Sequence, residues 1–173
     1  RFGGTVTAIT MGPLNACDVL RECLYRGADR VILLTDRGAA GSDTLATGYI
    51  LSQAIRKLGK VDLVFCGRQA IDGDTAQVGP QTAEKLGFPQ IAYLHEIISM
   101  NGGSIRVKRN VGNGWEVLDS PLPCLLTVLD SNLPRPQAAR LVMRHKQALA
   151  PDEVRRAVNA SFPDADDATK DAE

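Results

Sequence analysis

Cys66-Gly67-Arg68-Gln69-Ala70-Ile71-Asp72-Gly73-Asp74-Thr75-Ala76-Gln77-Val78-Gly79 decides how the rest of the chain is read. The apolar run Val61–Cys66 before it reads as a strand that breaks at Gly67. Small and turn-forming residues follow. Gly79 and Pro80 then open a helical pattern that runs to Leu86, with Gly87 and Pro89 as stop signals. A strand that passes through a tight loop into a helix N-terminus aims unpaired backbone N–H groups at one spot. Such a spot suits phosphate.

Working outward, the chain alternates. Thr5–Met11 is strand-like and ends at Gly12-Pro13, and Leu14–Arg26 carries a helical stripe of Ala16, Cys17, Leu20, Cys23 and Leu24 that stops at Gly27. Val31–Leu34 is a short β-rich run followed by the loop Asp36–Ser42. Asp43 is placed to cap a helix from Thr44 to about Leu58. Short apolar strands alternating with helices imply βαβ units and a Rossmann-like parallel sheet with flanking helices. The style changes after Pro89. Gln90–Ile98, Ser104–Arg109 and Trp115–Asp119 are strand-like and joined by Asn-Gly and Gly-Asn turns, which favour hairpins. This predicts an antiparallel hairpin extension, with a last strand, Cys124–Leu129, rejoining the sheet. The fold class is α/β.

Composition bounds the function. The chain has 173 residues, 23% charged and 44% hydrophobic, which suits one α/β domain with a real core. Twenty basic residues balance twenty acidic ones, so no net field favours nucleic acid or an anionic membrane. No apolar run approaches the roughly 20 residues that cross a bilayer, so no membrane insertion is expected. The four cysteines, Cys17, Cys23, Cys66 and Cys124, form no CxxC pair and read as reduced thiols of a cytoplasmic-type protein. The chain starts at Arg1 and enters a strand almost at once, which reads as a cut piece. Residues 1–146 are expected to form the nucleotide-binding domain. Residues 147–173 are expected to form a short helix, Pro151–Val158, and an acidic tail without structure.

The loop contains an apparent conflict. Asp72 and Asp74 repel a nearby phosphate by about 1 kcal/mol per pair at 4 Å in water, and by more when shielded. Backbone amides around Ala70–Val78 and the helix dipole must therefore hold the anion while these carboxylates turn away or accept local N–H groups. Arg68 and Gln77 are the only long-reaching donors nearby. A divalent ion on Asp72 and Asp74 is the competing reading, but it lacks a third ligand. A second loop, Asp43-Thr44-Leu45-Ala46-Thr47-Gly48, stands where the preceding strand meets its helix. Thr44 and Thr47 share a helix face, and Gly48 permits close approach of a ligand or a neighbouring backbone. They read equally well as a capped helix start with satisfied surface threonines. Both loops fall at carboxyl ends of parallel strands, where such sheets bind ligands. Neither the G-x-G-x-x-G nor the G-x-x-x-x-G-K-[ST] pattern occurs.

With these residues in view, the chain resembles the β subunit of electron transfer flavoprotein from Thr5 to about Lys146. The family signature G-x-Q-A-x-D-x-D-x-x-Q-x-G is matched by Gly67, Gln69, Ala70, Asp72, Asp74, Gln77 and Gly79. Gly27-Ala28-Asp29-Arg30, Pro89-Gln90, the Asn132-x-Pro134-Arg135 block and Met143 also match. The family subunit is longer at both ends.

The resemblance implies a subunit that clamps an adenine nucleotide and acts as an electron carrier with no catalytic residues of its own and no metal. Its partners would be an α subunit and a dehydrogenase or other oxidoreductase. The nucleotide is structural AMP in conventional members and a second FAD, reduced by NADH, in electron-bifurcating ones. The D-T-x-A-T-G loop is similar to the bifurcating group, so FAD is the expected ligand, AMP the alternative, and an unrelated ATP-binding module a third reading. Carried over by motif, the cofactor residues are Asp43, Thr44, Thr47, Gly67, Gln69, Ala70, Gly73, Asp74, Thr75, Ala76, Gln77 and Val78. Met11 stands near the adenine and contributes through its backbone. Ala139 stands where a leucine often anchors into acyl-CoA dehydrogenases, and Arg140 replaces a common proline, so the resemblance implies a different dehydrogenase or oxidoreductase as partner. The implied location is the bacterial cytoplasm, with the mitochondrial matrix second.

Overall fold

The first βαβ step is built from β1 (Thr7–Met11), α1 (Cys17–Tyr25) and β2 (Arg30–Leu34), with β1 and β2 parallel from Thr7↔Arg30 to Met11↔Leu34. The structure, a computed structural model, describes residues 3–129 and 136–146. The expected short helix and tail beyond Lys146, and the Asn132-x-Pro134-Arg135 block, lie outside them. A short 3-10 turn, Leu14–Ala16, takes the first part of the expected helix, because Gly12-Pro13 leaves no side chain able to cap it. The Gly27-Ala28-Asp29-Arg30 run has a clear local task. Gly27 takes a φ of +100°, and the amides of Gly27 and Ala28 return to the carbonyls of Leu24 and Cys23. That pair of bonds closes the C-terminus of α1. The Asp29 carboxylate then accepts the Val6 N–H at 2.7 Å and ties the turn to the entry of β1. A late helix, α4 (Ala139–His145), joins this smaller unit, and the Ala138 N–H donates to the Tyr25 carbonyl at 3.0 Å. Nothing in the sequence pattern predicts a helix there.

The larger unit spans residues 36–134. It holds α2 (Thr44–Lys57), β3 (Leu63–Gly67), α3 (Val78–Leu86), β4 (Gln90–Asn101), β5 (Ser104–Asn110), β6 (Trp115–Pro121) and β7 (Cys124–Val128). The strand order is β3-β7-β4-β5-β6. The last strand therefore rejoins the sheet, as expected, and does so at a central position. It runs parallel to both β3 and β4, while β5 and β6 form the antiparallel extension. A strand parallel to both neighbours is covered on two faces, which explains the unbroken buried run Cys124-Leu125-Leu126-Thr127. Alternation splits its side chains. Cys124 and Leu126 join Ile91, Leu94, Ile105 and Val107 in the core, whereas Leu125 and Thr127 approach α3 at Gly79.

β4 contains a bulge. Ile91 pairs with Leu126 but Leu94 pairs with Val128, so Ala92 and Tyr93 together face the single residue Thr127. Tyr93 takes a φ of +61°, and its N–H donates to Thr127 Oγ1 at 3.2 Å. No helix among the described residues is long and apolar enough to cross a membrane.

Candidate functional site

Two helix starts and one loop meet in the larger unit. β3 ends at Gly67, and the next amide, Arg68 N–H, still donates to Val128 O at 3.0 Å. The chain then leaves the sheet. Residues 70–74 form a turn in which Asp74 N–H donates to Ala70 O at 3.1 Å. Asp74 and Ala76 both take positive φ, +51° and +55°. Left-handed residues alternating with ordinary ones turn neighbouring N–H groups toward a common side, the geometry of an anion-binding nest. The loop delivers the chain to α3, whose first residue is Val78 and whose N-terminus no side chain caps. Its leading amides are therefore not taken by a side chain.

The conflict posed by the two loop carboxylates resolves locally. Asp72 Oδ1 accepts Gly73 N–H at 2.8 Å, and Asp74 Oδ1 accepts the Gln69 side-chain amide. Neither carboxylate caps α3. Each accepts a donor from the loop itself. Among the described residues no three His, Cys, Asp or Glu side chains converge as a metal site.

α2 begins with the cap foreseen from the sequence. Asp43 Oδ1 accepts Ala46 N–H at 2.7 Å. One residue on, the Thr44 hydroxyl donates to Gln77 Oε1 at 2.9 Å. That bond joins two motifs 33 positions apart and makes them walls of one place. Gly48 serves the helix seam. A Cβ there would lie 3.1 Å from Gln81 Cβ and 3.4 Å from Thr82 N, so α2 crosses α3 at backbone distance. Of the two uses foreseen for Gly48, close approach of neighbouring backbone is the one seen. At the same seam Gln81 Oε1 is buried without a hydrogen-bond partner, a group that calls for an explanation.

Gly79 seats α3 on the sheet. A Cβ there would lie 2.8 Å from Thr127 Cγ2, closer than real side chains pack, and 3.5 Å from Cys66 Cβ, an ordinary contact. Beneath it, burial pushes the Cys66 thiol above its ordinary ionisation range.

The structure thus brings Asp43, Thr44, Thr47, Gly67, Gln69, Ala70, Gly73, Asp74, Thr75, Ala76, Gln77 and Val78 into one unit, on the β3–α3 loop and the first turn of α2. Thr75 is exposed beside Gly73, and Thr47 is half-buried one turn into α2. Met11, the last residue of β1 and paired with Leu34, belongs to the smaller unit. Sequence reasoning missed Tyr93 and Gln81. Nothing in the sequence marks Tyr93, because a bulge is set by register with a partner strand. Gln81 could have been found, since it lies one helical turn beyond Gln77 on the face that receives Gly48. His95 lies inside β4 and packs on Trp115 with ring centroids 4.2 Å apart.

Residues 1–166 match the family described as "Electron transfer flavoprotein domain". Among curated proteins, the chain is 53% identical over 137 residues to "Protein FixA" of Azorhizobium caulinodans, covering 76% of this chain and 49% of that one. It is 51% identical over 136 residues to "Electron transfer flavoprotein subunit beta" of Thermoanaerobacterium thermosaccharolyticum, covering 78% and 52%. The protein of the same description from Megasphaera elsdenii is 46% identical over 170 residues, covering 94% and 61%. The chain spans about half the length of the first two relatives.

Proposed function

This chain belongs to the electron transfer flavoprotein family, and from that premise we propose that it is the nucleotide-holding part of an electron-carrying β subunit whose ligand is FAD. The residues present fit such a group on their own chemistry. The α3 N-terminus is uncapped, two left-handed residues shape the loop before it, and an acceptor oxygen of Gln81 is buried without a donor. Main-chain amides between Ala70 and Val78 hold the diphosphate. Gly73 and Gln69 keep Asp72 and Asp74 occupied, so that the anion meets N–H groups rather than carboxylates. Asp43 fixes the start of α2, and Thr44 and Thr47 position and tune the ring system by hydrogen bonding. When bound, the flavin supplies the redox chemistry, taking a hydride and giving up electrons. The protein's own residues break no bond.

The observation that carries this reading is the Thr44–Gln77 hydrogen bond. It holds the Thr44 hydroxyl against Gln77 of the β3–α3 loop, and this supports the flavin reading because a mononucleotide scaffold has no use for such a hydroxyl. In the full-length protein, an α subunit completes the carrier, and NADH or a dehydrogenase other than an acyl-CoA dehydrogenase supplies the electrons in a bacterial cytoplasm. The test is to reconstitute the full-length β subunit with α and count flavins per heterodimer. Two flavins are expected. One flavin, with AMP recovered from β, replaces this reading by that of a structural AMP site.

A further inference from the structure

A cleft of about 690 Å³ is lined by residues at the ends of the parallel strands, among them Gln69, and at the tip of the β5–β6 hairpin. That volume suits a small organic ligand. Its walls include Arg68, Gln69, Tyr93, Arg109, Val111 and Leu129. Each wall is anchored. Arg68 N–H donates to Val128 O at 3.0 Å and Leu129 N–H to Leu94 O at 3.3 Å. On the hairpin, Val111 N–H donates to Gly114 O at 3.0 Å, and Asn110 Oδ1 accepts Gly112 N–H at 2.7 Å. Among the described residues the lining carries two guanidiniums and no carboxylate. Glu116 holds Arg109 at 2.7 Å. Arg68 has no carboxylate partner among the described residues. The second feature is Tyr93, which has its bulge, its positive φ and the Thr127 hydroxyl beneath it. A bulky residue held in a left-handed conformation costs stability and persists where it is over-determined, commonly at ligand clamps. Here the outcome is a tyrosine at the rim of the cleft that contains the Arg68 guanidinium.

We propose that this cleft is a second ligand site, distinct from the diphosphate loop, for a ring that carries a phosphate: a nucleoside monophosphate or the equivalent end of a larger nucleotide. The Tyr93 ring and the apolar Val111 and Leu129 receive the flat ring, and Arg68 takes the phosphate in its planar fork. Gln69 lines the cleft and also donates to Asp74, so it borders both sites. The assignment holds whichever nucleotide fills the loop.

The test uses the full-length protein, its loop first saturated with FAD, and calorimetric titration with uridine 5′-monophosphate. Uridine and ribose 5-phosphate are titrated separately. Saturable binding of the monophosphate is expected without release of FAD, and each fragment should bind more weakly. Arg68→Gln should weaken the monophosphate by about tenfold or more, the value of one hydrogen bond to a charged group, with FAD content unchanged. Tyr93→Gly keeps a backbone that tolerates the positive φ and removes the ring, so binding should fall while thermal stability is retained. One-for-one displacement of FAD makes the cleft part of the first nucleotide's site and overturns the proposal. So does the absence of saturable binding, or equal affinity in the Arg68→Gln protein. Failure of FAD to bind at all is seen in the saturation step and counts against the functional reading alone.

Discussion

The methyl carbon of Thr127 stands 2.8 Å from where a side-chain carbon on Gly79 would lie, while the hydroxyl of the same threonine accepts the Tyr93 N–H at 3.2 Å. One residue of the central strand therefore sets two distances. It limits how closely α3 can settle, and it fixes the bulge in β4.

Gly79→Ala should for that reason be an overpacking change, costing about 1–3 kcal/mol. Thr127 cannot rotate away freely, since doing so releases the Tyr93 amide. Thr127→Ser removes the methyl and keeps the hydroxyl, so the double variant Gly79→Ala, Thr127→Ser should recover part of the loss. Urea denaturation of all four proteins closes the cycle. If the two changes simply add, the helix does not rest on Thr127.

Thr127→Val tests the other half of the relationship. Shape is nearly kept, but the acceptor is lost, leaving the part-buried Tyr93 N–H without its partner at a cost of about 1 kcal/mol. Adding Tyr93→Gly should return some of that stability, because glycine carries no penalty at a φ of +61°. A Thr127→Val protein with an unchanged denaturation midpoint would show the bulge to be held by other contacts.

How much of this was legible in the sequence depends on the range of the cause. Asp43 as a cap, Pro80 inside the first turn of α3 and Gly87 at its end are local signals, and the structure carries all three. The buried run of β7 also gave its own place away, since only a strand flanked on both sides can be apolar throughout. The loop motif and the α2 motif were each readable, but their junction was not, because Thr44 and Gln77 meet only through the packing of two helices. The bulge at Tyr93 was invisible for the same reason. It is a mismatch between two strands, recorded in neither. α4 was missed because Ala139–His145 is only two turns long and Ala138 makes no side-chain cap. Helices that short owe their stability to what they pack against.

Asp43→Ala should destabilise the larger unit by about 1 kcal/mol, the usual value of a lost N-cap. Asp43→Asn keeps the acceptor for Ala46 N–H and should cost much less. The readout is the urea midpoint at constant slope. Equal midpoints for wild type and Asp43→Ala would mean that the cap bond contributes nothing measurable.

Thr44→Ala with Thr47→Ala addresses the ligand. Neutral hydrogen bonds contribute about 0.5–1.5 kcal/mol each, so losing two should loosen a bound flavin by roughly five- to 150-fold. In the full-length complex the off-rate of FAD from the β subunit reports this by fluorescence, and the flavin's reduction potential should move with it. A site that holds only AMP has no interest in these hydroxyls, and its nucleotide content would stay unchanged.

The pH dependence follows from two thiols on opposite faces of the sheet, Cys66 under α3 and Cys124 in the core. Burial raises the ionisation of Cys66, and it raises that of Cys124 although Ser120 pulls the latter slightly back. Both start from an ordinary value of 9.0. Each folded thiol keeps its proton at a pH where the unfolded chain has begun to lose its own. The unfolded state then binds fewer protons, so stability falls as pH rises. The contribution is complete below the ordinary thiol value and is lost progressively above it, through the raised folded values. Unfolding in urea should give the same midpoint at pH 7 and 8 from this source and a lower one at pH 10. Tyrosines and lysines also titrate there, so the decisive quantity is the difference between wild type and Cys66→Ala. The variant starts less stable because it leaves a cavity beside Gly79, yet it should lose less between pH 8 and pH 10. Parallel pH profiles for the two proteins would place the Cys66 thiol in contact with water and remove the claim that α3 seals it.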